Sequence, residues 1–218
     1  MNFEKARFNM VEQQIRPWDV LDFDVLDALM EIPRERFVEE RFHGLAYADM
    51  ELPLPNGYKM LEPKIVARLV QGLKLTGSET VLEIGTGSGY ATALLAKLSA
   101  AVVSDDTDAA QQARARAVLA DLGLNNIEYA QNNGLSEPTA GAPFDAVYVG
   151  GAVDQVPEIL KQQLKDGGRM VVIVGRKPVQ RALLITKTDG AFTEKVLFDT
   201  VVAHLDDHSA NPFGDFDF

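Results

Sequence analysis

Residues 81–90, Val81-Leu82-Glu83-Ile84-Gly85-Thr86-Gly87-Ser88-Gly89-Tyr90, join an apolar run to three glycines at alternate positions. Residues 80–84 read as a buried strand, and a helix begins at Gly89. Glycine turns the backbone sharply and lets a ligand come close. Free N–H groups at the helix start then face that ligand. A dinucleotide site uses G-x-G-x-x-G, with pyrophosphate on the helix N-terminus. The spacing here is G-x-G-x-G, with Glu83 two positions before the first glycine. A tight strand-to-helix turn without a ligand is the plain alternative.

Downstream, short apolar runs alternate with helical stretches. Strands are predicted at 101–104, 127–130, 146–149 and 169–174, and helices over 89–98, 108–122 and 155–164. This alternation predicts an α/β fold, a Rossmann-like, doubly wound, mostly parallel sheet with helices on both faces. Two further strands, 182–186 and 195–202, follow without a helix between them. Asp189-Gly190 joins them as an antiparallel hairpin at the C-terminal edge.

Upstream, residues 2–16 read as a helix broken by Arg16-Pro17-Trp18-Asp19. Asp22 caps a second helix through Val25, Leu26 and Leu29. A third segment starts at Ile32-Pro33-Arg34 and ends near Phe42. Residues 43–60 read as a loop with Pro53, Pro55 and Gly57, and helical spacing resumes over 62–74. A loop of that length is often functional. The expected organisation is one domain, 1–218. A helical extension and loop (1–75) precede a core (76–204) and an acidic tail (205–218).

Composition narrows the classes. The 218 residues include no cysteine, 21 Lys and Arg, and 32 Asp and Glu, for a formal net charge of −11. Zero cysteines exclude disulfides, thiolate metal sites and cysteine nucleophiles. The acidity disfavours nucleic acid as a partner, because duplex binding needs clustered Lys and Arg. No apolar run approaches the roughly 18 residues of a membrane span. The charged start MNFEKARFNM lacks the apolar core of a signal peptide, so the expected compartment is the cytoplasm. The tail carries Asp206, Asp207, Asp215 and Asp217 with no Lys or Arg. Partial disorder is expected there, docking being the alternative. Nothing in the pattern fixes an oligomeric state.

Further residues gather around the glycine turn. Asp105 and Asp106 end the second strand, about twenty positions beyond Gly85, where an acid accepts hydrogen bonds from ribose hydroxyls. A solvated strand-end Asp is the alternative for either. Asn132-Asn133-Gly134 follows the third strand, where an adenine ring would lie. An Asn amide can both accept from and donate to adenine, but the same tripeptide is ordinary turn chemistry. The fourth strand ends in Gly150-Gly151-Ala152, which leaves room at the carboxyl end of the sheet. The G-x-G-x-G variant is carried by methyltransferases that bind S-adenosylmethionine. By that resemblance Gly85, Thr86, Gly87, Ser88, Gly89 and Tyr90 form the cofactor turn and Glu83 orients it.

The chain resembles the protein-L-isoaspartate O-methyltransferases over most of residues 1–175. The likeness rests on Ile32-Pro33-Arg34-Glu35-Arg36-Phe37-Val38, Ala46-Tyr47-Ala48-Asp49, VLEIGTGSGY and Phe144-Asp145-Ala146. It also rests on Val156-Pro157, on Gln163-Leu164-Lys165-Asp166-Gly167-Gly168-Arg169 and on Val174-Gly175. The resemblance implies S-adenosylmethionine as cofactor and methyl transfer to an isoaspartyl side-chain carboxylate in damaged protein. It places the ribose acid on Asp106, or failing that Asp105, with Asn132 and Asn133 flanking the adenine and Gly150 a further cofactor-binding candidate.

The acceptor loop departs from the family. Where the family carries Gly-Gln-Thr-Ile-Ser-x-Pro, this chain has Gly57-Tyr58-Lys59-Met60-Leu61-Glu62-Pro63. The serine position is Leu61, which can neither orient a carboxylate nor donate to it. A site built around a hydrogen bond typically loses orders of magnitude without it. Lys59, Met60 and Leu61 are therefore the candidate acceptor residues, Lys59 as an anion attractor or simply as a solvated loop lysine. Methyl transfer from a sulfonium is an in-line displacement governed by positioning, and an ionised carboxylate needs no base.

Three activities stay open: isoaspartyl repair, methylation of a small-molecule or nucleic-acid acceptor, and cofactor binding without catalysis. His204 and His208 sit four apart, but no third ligand accompanies them, so no metal is expected. His43 reads as a turn residue and Trp18 as a packing anchor. Arg114, Arg116 and the charged cluster 34–41 read as solvated helix faces.

Overall fold

The computed structural model describes residues 2–205. The expected disorder of the acidic tail lies outside the described residues. Helix α1 (Phe3–Asn9) starts on Asn2, whose side chain accepts from the Lys5 N–H. The helical path ends within the predicted break at Arg16-Pro17-Trp18-Asp19. It passes first into a π-helical stretch, Met10–Ile15, which buries Met10, Val11 and Ile15, and then a 3-10 turn, Arg16–Trp18. The chain leaves this turn through Asp19 at φ 64. Trp18 is not a packing anchor. It is 45% exposed, with the Lys64 ammonium 4.5 Å above its ring.

Helix α2 (Phe23–Glu31) is capped as predicted, the Asp22 carboxylate accepting from the Asp24 and Val25 N–H groups. The cluster 34–41 is not a solvated helix face. It forms two 3-10 turns, Arg34–Phe37 and Glu40–Leu45, and buries Arg34 and Phe37. The expected loop 43–60 contains a small antiparallel hairpin of β1 (Leu52–Pro53) and β2 (Lys59–Met60). Helix α3 (Pro63–Leu73) opens on proline, whose missing N–H has no partner to lose. It buries Ile65, Val66, Leu69, Val70 and Leu73, the predicted face.

The remaining elements are β3 (Thr80–Ile84), α4 (Tyr90–Leu98), β4 (Ala101–Asp105), α5 (Ala109–Asp121) and β5 (Ile127–Ala130). After them come β6 (Phe144–Val153), α6 (Glu158–Gln162), β7 (Leu164–Arg176), β8 (Val179–Thr188) and β9 (Ala191–Thr200). One seven-stranded sheet runs β5-β4-β3-β6-β7-β8-β9. It is parallel from β5 to β7 and antiparallel from β7 to β9. Asp189 at φ 50 and Gly190 at φ 76 make the predicted tight turn of the edge hairpin. The chain winds outward from β3 to β5, then returns to place β6 on the other side of β3. That reversal opens a crevice at the carboxyl ends of β3 and β6, where α/β sheets bind ligands.

Strand β6 runs past the predicted 146–149 through Gly150 and Gly151, and its register against β7 shifts between Tyr148 and Ala152. Helix α6 is shorter than the expected 155–164. Pro157 is its cap and forces the residue before it out of helical geometry, while Leu164 already belongs to β7. One face of the sheet packs against α3, α4, α5 and the N-terminal helices. The other is covered more thinly, by α6, by Leu135 of the segment after β5, and by Leu205. Among the described residues no helix is long and apolar enough to cross a membrane.

Candidate active site

The glycine turn is anchored from below. Glu83 is fully buried in β3, and its Oε2 accepts from Thr92 Oγ1 on α4 at 2.6 Å and from Ser104 Oγ on β4. Ser104 Oγ lies 2.7 Å from Thr86 Oγ1, so Glu83 is tied to the turn through one intervening hydroxyl. Burial pushes the Glu83 carboxyl up to about 8, against the pull of the two hydroxyls. From above, Gln112 Nε2 donates to Thr86 Oγ1, and Gln111 Nε2 donates to the Gly87 carbonyl at 2.9 Å.

Gly85, Gly87 and Gly89 have φ of 89, 49 and 85, in the left-handed region. Their tasks differ. Gly85 and Gly87 line the open crevice. A Cβ on Gly89 would lie 2.9 Å from the Ala115 Cβ, so this glycine serves the contact of α4 with α5.

The crevice is a cleft open to solvent at the carboxyl ends of β3 and β6. Gly85, Gly87, Asp105, Asp106, Asn132, Asn133, Gly150, Lys59 and Leu61 all line it. A smaller pocket of about 340 Å³ adjoins it. Lys59, Met60, Leu61, Thr86, Ser88, Tyr90 and Gly150 lie on its walls, with Tyr148. Of the predicted residues, Glu83 and Gly89 line neither space.

The two adjacent aspartates have distinct environments. Asp105 is buried. Its Oδ1 accepts from the Asn132 N–H at 3.0 Å and its Oδ2 from Thr139 Oγ1 at 2.6 Å. Burial raises its pKa. Asp106 is half-buried and accepts from the Gly87 N–H at 3.1 Å and the Asp108 N–H at 2.8 Å. Asn132 donates from Nδ2 to the Pro138 carbonyl, and Asn133 Oδ1 accepts from the Leu135 N–H. A Cβ on Gly134 would fall 2.4 Å from Ile84 Cδ1 and 2.9 Å from Asp105 Oδ2, so a larger residue would displace side chains where this turn crosses the strand.

The loop before α3 covers the turn. Asn56 Nδ2 donates to Asp108 Oδ2 at 2.9 Å, and the Leu54 side chain lies over Gly87. Lys59 is half-exposed and pairs with Glu51 at 3.1 Å. Leu61 is held from beneath, its carbonyl accepting from Arg34 Nη2 at 2.8 Å while Arg34 Nε donates to the Ala46 carbonyl. After β9 the chain pairs with Ala152 and sets Leu205 against Gly85 and Gly151. The space expected at the end of β6 is thus partly filled.

Sequence reasoning missed Arg34, because its charged surroundings look solvated. It missed Gln111 and Gln112, which lie in an unpatterned helix, and Asp108, which caps α5 and lines the cleft. His204 Nε2 lies 2.9 Å from the Gly175 carbonyl and its Nδ1 lies 3.6 Å from Asp154. His208 is outside the described residues, and among the described residues no group of three His, Cys, Asp or Glu could hold a metal.

The charge pattern suits one ligand class better than another. Asp105, Asp106 and Asp108 line the cleft, and its lysine is already paired. A pyrophosphate would meet three carboxylates there, whereas ribose hydroxyls or a sulfonium cation would find acceptors.

Comparison with known proteins follows the same line. The family model of protein-L-isoaspartate(D-aspartate) O-methyltransferase matches residues 6–209. The chain belongs to this family. A protein-L-isoaspartate O-methyltransferase 1 of Rhodopseudomonas palustris is 42% identical over 188 residues, covering 86% of this chain and 77% of that protein. A protein-L-isoaspartate O-methyltransferase of Brucella anthropi is 38% identical over 213 residues, covering 97% of this chain and 98% of the relative. A solved protein-L-isoaspartate O-methyltransferase superposes with TM-score 0.77 at 27% identity, over 91% of this chain and 64% of that one. A beta-aspartate methyltransferase from Plasmodium falciparum, solved with S-adenosyl-L-homocysteine, shares the fold. It superposes with TM-score 0.78 at 20% identity, over 94% of this chain and 98% of its own.

Proposed function

We propose that the chain is an S-adenosylmethionine-dependent O-methyltransferase acting on the side-chain carboxylate of isoaspartyl residues in proteins. The observation that carries the reading is the family match across residues 6–209, the whole of the sheet and its crevice. When bound, S-adenosylmethionine supplies a methyl group whose bond to sulfur breaks as the acceptor oxygen attacks, the electron pair staying on sulfur.

The chain's own residues bind and position. Asp106 takes the ribose hydroxyls, being the more open of the two aspartates and close to Gly87. Asp105, committed to Asn132 and Thr139, shapes the turn that Asn132, Asn133 and Gly134 offer to the adenine. Gly85 and Gly87 let the cofactor approach β3. Loop 54–61 excludes water above it, which strengthens every electrostatic contact inside. No side chain need take a proton, because the acceptor is already a carboxylate. The proposal extends to repair of damaged protein in the cytoplasm.

Transfer of labelled methyl from S-adenosylmethionine into an isoaspartyl peptide, with the aspartyl isomer as control, tests this. Labelling of the isoaspartyl peptide alone is expected, and labelling of neither peptide overturns it. Leu61 at the serine position favours a second reading, a different methyl acceptor. That reading predicts labelling in the metabolite or RNA fraction of an extract and none in the isoaspartyl peptide.

A further inference from the structure

The second pocket holds buried polar groups that the reading above leaves unused. Tyr148 lies in β6, opposite Glu83 of β3 and Val171 of β7. It is fully buried, it lines the pocket, and its hydroxyl has no hydrogen-bond partner among the described residues. Tyr90, the first residue of α4, is 1% exposed on the same pocket, and its hydroxyl is also unpartnered. Buried hydroxyls in native proteins are nearly always paired. Two on one small pocket point to a partner that arrives from outside.

The field around them is positive. The Arg34 guanidinium, fully buried, sits 4.8 Å from the centre of the Tyr90 ring. Its bonds go to two carbonyls, its Nη1 is unpartnered, and among the described residues no carboxylate pairs with it. Burial lowers it only to about 10, so it stays charged at neutral pH, and its charge acts on both Tyr90 and Tyr148. Glu83 faces Tyr148 from β3 but is pushed up to about 8 and is mostly neutral at pH 7. Glu35 and Arg7 also act on Tyr90, with opposite signs. No Asp or Glu lines the pocket.

We propose that Tyr148, with Tyr90 beside it, is the carboxylate-binding wall of the second pocket, an assignment that rests on the methyltransferase reading above. Burial raises both phenols, Tyr90 to about 12, so they remain neutral donors. Neutral O–H donors on one pocket, backed by a buried cation, suit an anionic oxygen such as a carboxylate's. The resemblance puts a serine hydroxyl at Leu61 in the same pocket, and here the hydroxyls come from the sheet and the helix instead. The carboxylate has two possible sources, the acceptor side chain and the amino-acid end of the cofactor.

The test is Tyr148→Phe, with Tyr90→Phe as the second variant. Removing an unpartnered hydroxyl breaks no bond, so the unliganded variants are expected to melt no lower than the parent protein. Calorimetry with S-adenosylhomocysteine, and the KM for an isoaspartyl peptide, then separate the sources. If the cofactor carboxylate is held, affinity for S-adenosylhomocysteine falls about tenfold to a hundredfold while that for methylthioadenosine, which lacks the amino acid, stays put. If the acceptor is held, S-adenosylhomocysteine binds unchanged and the peptide KM rises by a similar factor. The assignment is overturned if both quantities stay within twofold, or if the variants melt several degrees lower and bind every ligand proportionately less. A parent protein that binds S-adenosylhomocysteine but labels no isoaspartyl peptide overturns the proposed acceptor alone. The calorimetric comparison then stands alone, and S-adenosylhomocysteine affinity within twofold of the parent in both variants overturns the assignment.

Discussion

Replacing Glu83 with glutamine converts a pH-dependent buried group into a permanently neutral one of nearly the same shape. The hydroxyls of Thr92 and Ser104 keep an oxygen to donate to. In the folded protein the Glu83 carboxyl is raised from 4.5 to about 8 by burial. A carboxyl raised on folding binds its proton more tightly in the folded state. Its stabilising effect is therefore complete below about 4.5 and is lost as pH rises through about 8. At roughly 1.4 kcal/mol per pKa unit, the loss is about 3 kcal/mol by pH 7 and about 5 kcal/mol by pH 9. Glutamine suffers none of it. Thermal unfolding of both proteins, followed by circular dichroism from pH 5 to pH 9, reads the difference directly, since every other titrating group is shared. The variant is expected to match the parent near pH 5 and to exceed it by about 10 °C or more at pH 9, taking about 2–4 °C per kcal/mol for a chain of this size. A difference that stays within about 2 °C across the range would falsify the argument that burial raises the Glu83 carboxyl.

Gly89→Ala meets both a left-handed backbone and the Ala115 Cβ at 2.9 Å, so urea denaturation should show a loss of about 3 kcal/mol. A loss under 1 kcal/mol would mean that α4 and α5 shift freely. Asp106→Ala removes the open acceptor at the cleft. Calorimetry should show S-adenosylhomocysteine binding about ten- to a hundredfold weaker, and unchanged affinity would move the ribose contact to Asp105. Leu61→Ser restores a hydroxyl on the loop wall and is expected to raise kcat/KM for an isoaspartyl peptide by up to about tenfold. No rise would show that the acceptor wall has been rebuilt beyond one residue.

Much of the architecture is legible because local chemistry and burial agree. The apolar runs at β3, β4 and β5, the cap at Asp22 and the Asp189-Gly190 turn all announce themselves within a few residues. The place of two glycines and the paired aspartates at the cleft is legible for the same reason, since backbone geometry and strand ends put them there. What escapes is set by distant contacts. Arg34 looks solvated beside Glu35 and Arg36, and only the arrival of Ala46, Leu61 and Tyr90 buries it. Trp18 looks like core, yet the turn that ends the first helix carries it outward under Lys64. Tyr148 reads as one more apolar strand residue, and its idle hydroxyl is visible only in three dimensions.

The strand order also sets a sequence in time. The edge hairpin of β8 and β9 closes over Asp189 and Gly190, and β3 finds β4 across one helix. The contact of β3 with β6 must close a far longer span, 65 positions at the Thr80–Asp145 hydrogen bond. Long closures form late because the chain entropy they cost is not offset until many contacts arrive together. Much of the cleft is lined from the span Ile84 to Leu135, but the second pocket and the arginine behind it need Arg34, Leu61 and Tyr148 at once. The residues from Ile84 to Leu135 are therefore joined by shorter closures than Arg34, Leu61 and Tyr148, which meet only once β6 lies on the far side of β3.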